Sequence, residues 1–143
     1  MTLTLTTAQT IIAKTLDHAK QSNFKVLGVV VIDARGAVVA AAIQDGSSLA
    51  RFDVAKAKAN GAISFNMGSR GIEKLAKDRP HFLAGALGVI DGIIPVAGGV
   101  LIKSTDGKIL GAVGVSGDTS DNDEAAALVG IQAAGLVGDG GQG

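Results

Sequence analysis

The stretch Gly98-Gly99-Val100-Leu101-Ile102-Lys103-Ser104-Thr105-Asp106-Gly107-Lys108-Ile109-Leu110-Gly111-Ala112-Val113-Gly114-Val115-Ser116-Gly117 decides the fold. An apolar run ends near Lys103, Asp106-Gly107 makes a turn, and a second apolar run follows. Two strands joined by so short a turn pair antiparallel, because a parallel pairing needs a crossover of about a dozen residues or more. The second run closes on Gly114 and Ser116-Gly117, small residues that let other groups approach the backbone. Acids follow at once, from Asp118 to Glu124, where they cap a helix and offset its dipole.

The same pattern recurs upstream. Val26 to Asp33 is a β-branched run, Ala34-Arg35-Gly36 a turn, and Val38 to Gln44 a second run, together an antiparallel hairpin. Before it, Thr6 and Gln9 form a capping box, and Ala8, Ile11, Ile12, Thr15, Leu16 and Ala19 recur at helical spacing, predicting a helix over 7–22. Asp45-Gly46-Ser47-Ser48 is a loop leading into a helix that passes through Asp53, Lys56, Ala57 and Ala62 to about Phe65. Asn66-Met67-Gly68 breaks it. Ser69 with Glu73 opens a short helix that ends before Pro80. Residues 81–91 mix helical and turn signals, and Pro95 interrupts the apolar segment after them. A last helix spans 121–134, capped by Ser120 or Asp121 with Asp123 or Glu124 reaching back, and Gly135 ends it. From about residue 136 the chain reads as a frayed, Gly-rich tail. Short-turn strand pairs with helices segregated around them define the α+β class, here as one domain over residues 1–143 without internal repeats.

Composition narrows the function classes. The 143 residues are 47% hydrophobic and 18% charged, which suits a globular chain. Aromatics are 3%, four Phe with no Trp or Tyr, so Val, Ile, Leu and Ala must build the core. Lys plus Arg equals Asp plus Glu at 13 each, leaving no basic excess for phosphates and no aromatic platform for bases. Nucleic acid is therefore not an expected partner. Cys is absent, which excludes disulfides and thiolate metal sites. Met1 to Leu5 carries no basic leader, and no apolar run reaches the roughly 18 residues of a membrane span, so the expected location is cytoplasmic. The strands read as nearly continuous apolar runs, which implies cover on both faces, part of it from a partner subunit in a homo-oligomer.

Few residues carry candidate chemistry. His81 follows Pro80 and can act as acid, base or axial ligand to a heme iron. His18 borders the apolar stripe of the first helix. The other iron donors are Met1 and Met67, with Met67 suited to filling core space. Asp118, Asp121, Asp123 and Glu124 do not fit a calcium loop, since the position that needs Gly is Asp123, and no metal site is assigned. Arg51, Lys56 and Lys58 sit on or beside the helix after Asp45-Gly46; they belong either to a solvated face or to contacts with a ligand's carboxylates. Ser47, Ser48 and Ser116 have no neighbouring His in sequence, and Gly114-Val115-Ser116-Gly117 lacks the rest of a phosphate-loop motif.

Several of these segments together resemble a known family. Val29 to Gly36, Asp45-Gly46-Ser47, Ala55-Lys56-Ala57-Lys58-Ala59, Gly98-Gly99-Val100, Gly111 to Gly117 and Asp123-Glu124 look like the GlcG/HbpS family. That family is itself similar to the C-terminal domain of PduO-type corrinoid adenosyltransferases. The likeness runs from about Leu5 to Gly135. It implies a profilin-like fold, an antiparallel sheet of about five strands flanked by helices, assembling as a homo-oligomer. It also implies heme or tetrapyrrole binding in some members. The family commonly has a basic residue two positions before the Asp-Gly pair; here that position is Ile43, and Arg51 is the candidate to replace it.

Two readings follow. In the first, a homo-oligomer holds heme or a related tetrapyrrole as a small-molecule ligand in a small-residue groove, contacted by His81, Lys56, Arg51, Asp45, Gly98 and Gly99. In the second, a cofactor-independent enzyme transfers protons on a small organic acid or carbonyl compound, with Asp33, His81 and Glu124 as acids or bases.

Overall fold

The computed structural model describes residues 2–142. Its five strands form one antiparallel sheet. They are β1 (Gly28–Asp33), β2 (Val38–Ile43), β3 (Gly99–Lys103), β4 (Ile109–Ser116) and β5 (Val137–Asp139), in spatial order β2-β1-β4-β3-β5. The two hairpins expected from their turns are β1–β2 and β3–β4. They join through the β1–β4 ladder, which runs from Gly28↔Ser116 to Asp33↔Gly111.

Alternation along the strands sorts side chains onto two faces. Val29, Val31, Val100, Ile102, Val113 and Val115 pack with Ala8 and Ile11 of α1 (Leu5–Gln21) and Ala127 and Ile131 of α5 (Ser120–Ala133). Val30, Ile32, Leu101 and Ala112 face the other way, onto Ala55, Ala59 and Ala62 of α2 (Arg51–Phe65). All of these side chains are 0% exposed. The continuous apolar runs thus find their double cover within one chain at β1, β3 and β4. The edge strands stay partly open, β2 with Val38 and Ile43 each 43% exposed and β5 with Val137 at 47%.

The small residues under α2 set how closely it sits. A Cβ at Gly114 would run into the Ala55 carbonyl, and one at Gly99 into the Lys58 carbonyl. The small-residue stripe of the hairpin is therefore the seat of a helix, and the groove foreseen above it is filled by α2 backbone.

Several local expectations are corrected. Thr4, not Thr6, caps α1; its Oγ1 accepts from the Thr7 N–H at 3.1 Å. Thr119, not Ser120 or Asp121, caps α5, accepting from the Asn122 N–H at 3.2 Å; Asp123 reaches back as expected, its Oδ1 accepting from the Asp118 N–H at 3.0 Å, and its Oδ2 also takes Lys58. The ambiguous segment opens with α4 (Pro80–Ala86), whose Pro at the first position is preset for a helix. It follows α3 (Ser69–Asp78) directly. The tail is not frayed over 137–139. It pairs as β5 with β3, Leu101↔Asp139 to Lys103↔Val137, and Lys103 Nζ holds Asp139 at 2.7 Å. Beyond the strand, the Gly140 carbonyl accepts from the Arg70 N–H, and Gln142 reaches Glu124. An edge strand with unpaired backbone and a nearby cation recruits a segment whose own composition does not announce a strand. Met1 and Gly143 lie outside the described residues.

Candidate functional site

The residues singled out in the sequence occupy five separate places. Asp33 ends β1. Its Oδ1 accepts from the N–H groups of Arg35 and Ala37 at 2.8 and 3.1 Å, and its Oδ2 pairs with the Arg35 guanidinium at 3.0 Å. Partial burial pushes the carboxyl up, but the bonds from Ala37 and Arg35 outweigh it and hold it below its ordinary value. Every donor here belongs to the β1–β2 turn, so Asp33 closes a turn.

At the opposite end of the sheet lie Arg51, Lys58, Gly98, Gly99, Ser116 and Asp123. Arg51 opens α2. Its guanidinium donates to Ser48 Oγ at 3.0 Å and Ser116 Oγ at 2.5 Å, and no carboxylate among the described residues pairs with it. Lys58, two turns further along α2, is only 3% exposed. Its ammonium donates to the Val115 carbonyl at 3.0 Å and to Asp123 Oδ2 at 3.1 Å. Asp123 Oδ1 accepts from the Asp118 N–H at 3.0 Å. Burial disfavours both charges: it pushes Lys58 down and Asp123 up, each opposed by the partner's charge. Gly98 sits beside this pair at φ +124, where a Cβ would press on Lys58 Nζ and the Val115 carbonyl. Lys58 is therefore part of the core and not of a solvated face. Gly99 donates its N–H to Ser69 Oγ at 2.7 Å, tying β3 to the start of α3. Asp45 is exposed in the loop that leads to this end.

Lys56 points elsewhere. With Asp53, Ala57, Asn60, Gly36, Asp91 and Gly92 it lines an open cleft of about 390 Å³. Asn60 Nδ2 donates to the carbonyls of Asp91 and Gly92, at 2.5 and 2.9 Å, and fixes one wall. Lys56 itself has no hydrogen-bond or ion partner among the described residues.

Glu124, at the start of α5, is 4% exposed and holds Arg70 of α3. Both its oxygens accept from Arg70, the shortest contact being 2.8 Å, while Arg70 also reaches Asp121 at 2.5 Å. The bonds to Glu124 and Asp121 raise Arg70 above its already high ordinary value. Charge-assisted pairs of this kind clamp helices together.

His81 is the second residue of α4, exposed and without a bonding partner among the described residues. α4 packs on α3, and its Phe82 ring also meets the Phe65 ring at the end of α2, with 6.3 Å between centroids. One helical turn on from His81 lie Ala84 and Gly85, also exposed, and a Cβ on Gly85 would meet open space. Phe82, Leu87 and Val89 are 39%, 50% and 85% exposed around this face. Arg79 stacks on the Phe82 ring at 4.9 Å. The result is an exposed, largely apolar ledge with an unpartnered imidazole at its edge. His18, by contrast, meets the Phe24 ring edge-on on α1.

Asp33, His81 and Glu124 thus share no common cavity: the first is spent on a turn, the last on Arg70. No group of three or more metal-binding side chains occurs among the described residues. No described helix is long and apolar enough to cross a membrane. In sequence Lys58 is one of a lysine pair, and nothing in Ala55-Lys56-Ala57-Lys58-Ala59 separates the buried lysine from the exposed one.

Comparison with solved structures gives close matches of fold. A PduOC domain crystallised in complex with heme superposes with a TM-score of 0.83 at 20% identity, covering 95% of this chain and 97% of its own. HbpS gives 0.80 at 25% identity, over 92% of this chain and 89% of its own. The Klebsiella pneumoniae protein ORFY, of family DUF336, gives 0.80 at 23% identity, over 93% and 90%. Comparison with curated protein sequences gives no match. The sequence profile of the haem-degrading HbpS-like proteins matches residues 3–132, nearly the whole chain, and the chain belongs to the HbpS-like family.

Proposed function

We propose that this protein binds heme, or a related tetrapyrrole, on the α4 ledge and works as a homo-oligomer. The observation that carries the reading is the unpartnered His81 imidazole beside the exposed small residues Ala84 and Gly85, with exposed Phe82, Leu87 and Val89 in the same segment.

The residues present fit such a group. A tetrapyrrole needs an apolar surface, a donor to its metal and cations for its carboxylates. The ledge supplies the first and His81 the second. Arg79, at the same end of α4, is a nearby cation. Lys56 and Arg51 are cations without carboxylate partners elsewhere on the surface. The open clefts, of about 280, 390 and 410 Å³, lie near the low end of the range for small-molecule pockets, which favours the exposed ledge over a pocket within one chain. When bound, the metal would supply ligand-exchange and redox chemistry. His81 would hold it, and the apolar rim would exclude water from one side of the ring. Membership of the HbpS-like family and the heme complex of the structurally similar PduOC domain support the choice of ligand.

Titrating the purified protein with hemin while following the Soret band tests this. Saturation near one equivalent per subunit is the expected result. Uptake that rises linearly without saturation contradicts it.

A further inference from the structure

The two edges of the sheet are finished differently. On one side β5 is only three residues long, and the Lys103–Asp139 pair stands beside it; short, charged edges of this kind resist pairing with other chains. On the other side β2 is Val38-Val39-Ala40-Ala41-Ala42-Ile43, six residues without a charge or a proline. Its one irregularity, where the register jumps from Val31↔Ala40 to Ile32↔Val38, lies at its first turn-proximal residues and leaves Ala40 to Ile43 regular.

The ladder fixes which backbone groups are free. The Gln44 N–H donates to the Leu27 carbonyl. Alternation in an antiparallel pair then turns the N–H and C=O of Ala42 toward β1 and those of Ala41 and Ile43 outward. Ala41 and Ile43 also share a sheet face, opposite Val30 and Gly28, that α2 leaves exposed at this edge. The ends of the strand carry opposite charge. Arg35, in the turn before it, leaves 82% of its side chain exposed although it holds Asp33. Asp45, just after it, is exposed with no partner among the described residues. A strand basic at one end and acidic at the other complements its own antiparallel copy.

We infer that β2 pairs antiparallel with β2 of a second copy of this chain, about a two-fold axis at Ala41. The inference rests on the homo-oligomer reading above and specifies its interface. A two-fold axis normal to the sheet sets one residue opposite its own copy, and Ala41 is the central outward-facing residue. Ile43 then lies opposite the partner's Val39, and Asp45 approaches the Arg35 turn of the other copy. The two sheets become one continuous sheet, and the apolar edge leaves water.

Because the chain has no Cys, a single substitution reports on this axis directly. Hydrogen-bonded residues across an antiparallel pair have Cα atoms about 5.5 Å apart, inside the disulfide range of about 4.4–6.8 Å. Oxidised Ala41→Cys protein is expected to run as a covalent dimer on a denaturing gel. Val89→Cys, on the α4 side, is expected to stay single under the same oxidation. Ala41→Lys places like charges face to face and is expected to halve the mass read by light scattering, with an unchanged far-UV spectrum. If the unmodified chain is oligomeric but Ala41→Cys does not cross-link and Ala41→Lys keeps the native mass, the β2 edge is not the interface and this inference falls alone. If the unmodified chain is a monomer at micromolar concentration, the homo-oligomer reading falls with it.

Discussion

At the scale of single residues, two buried or bonded charges hold the sheet's end together. Lys58 and Asp123 come from α2 and α5 and meet beside Gly98. Each alone would be an uncompensated charge in a dry site, a situation worth about 3–5 kcal/mol of destabilisation. Lys58→Met should cost about that much in chemical denaturation, and adding Asp123→Asn should recover a large part of it. Simple additivity of the two losses would show that the pair is not coupled. Asp118 accepts from the Lys25 N–H at 2.6 Å, the Thr119 N–H at 2.7 Å and Asn122 Nδ2 at 2.8 Å. These bonds, the one from Lys25 first, hold its carboxyl below the ordinary 3.8. A carboxyl lowered on folding stabilises fully above its unfolded value and loses that contribution as pH falls through its folded value. Asp118→Ala should therefore cost ~1 kcal/mol at neutral pH, given its exposure to solvent. Melting curves of the two proteins should converge in strong acid; a gap that persists there would contradict the assignment.

Among elements, α2 is the one whose placement the glycines dictate. Gly114→Ala drives a methyl into the Ala55 carbonyl, backbone that cannot swing aside. Overpacking of this kind costs about 1–3 kcal/mol, so a melting temperature lowered by several degrees is expected. An unchanged melting temperature would mean that α2 rides further from the sheet. The hairpins β1–β2 and β3–β4 were legible in the sequence because their turns and partners are local: Arg35-Gly36 and Asp106-Gly107 stand between apolar runs. The β3–β5 pair was not. Val137-Gly138-Asp139 has no strand-like composition and becomes β5 only because β3 offers an edge with Lys103 at its end. The caps shifted by a residue or two for a related reason. Ser120 and Asp121 look like caps in sequence, but Thr119 takes that place, and Asp123, which reaches back to the Asp118 N–H, is shared with a lysine 65 residues away. Of the candidate site, His81 stands out in the sequence by scarcity, as one of two histidines. The ledge around it was hidden, since the exposure of Ala84, Gly85, Leu87 and Val89 depends on which side of α4 meets α3.

For the whole molecule, one chain covers both faces of its own sheet and leaves two surfaces unfinished, the β2 edge and the α4 ledge. On the proposed reading, a second copy closes the first through pairing at Ala41, and a tetrapyrrole covers the second. The central claim is that His81 on α4 is the contact that fixes the ligand. The direct measurement is the hemin titration repeated on His81→Ala, with the native protein alongside and light scattering as the check on assembly. The account predicts a shifted, weakened Soret band, at least about tenfold poorer affinity, the loss of about 1.4 kcal/mol or more, and an unchanged mass. Saturation of His81→Ala at the native stoichiometry, with the same Soret position and affinity, would contradict it.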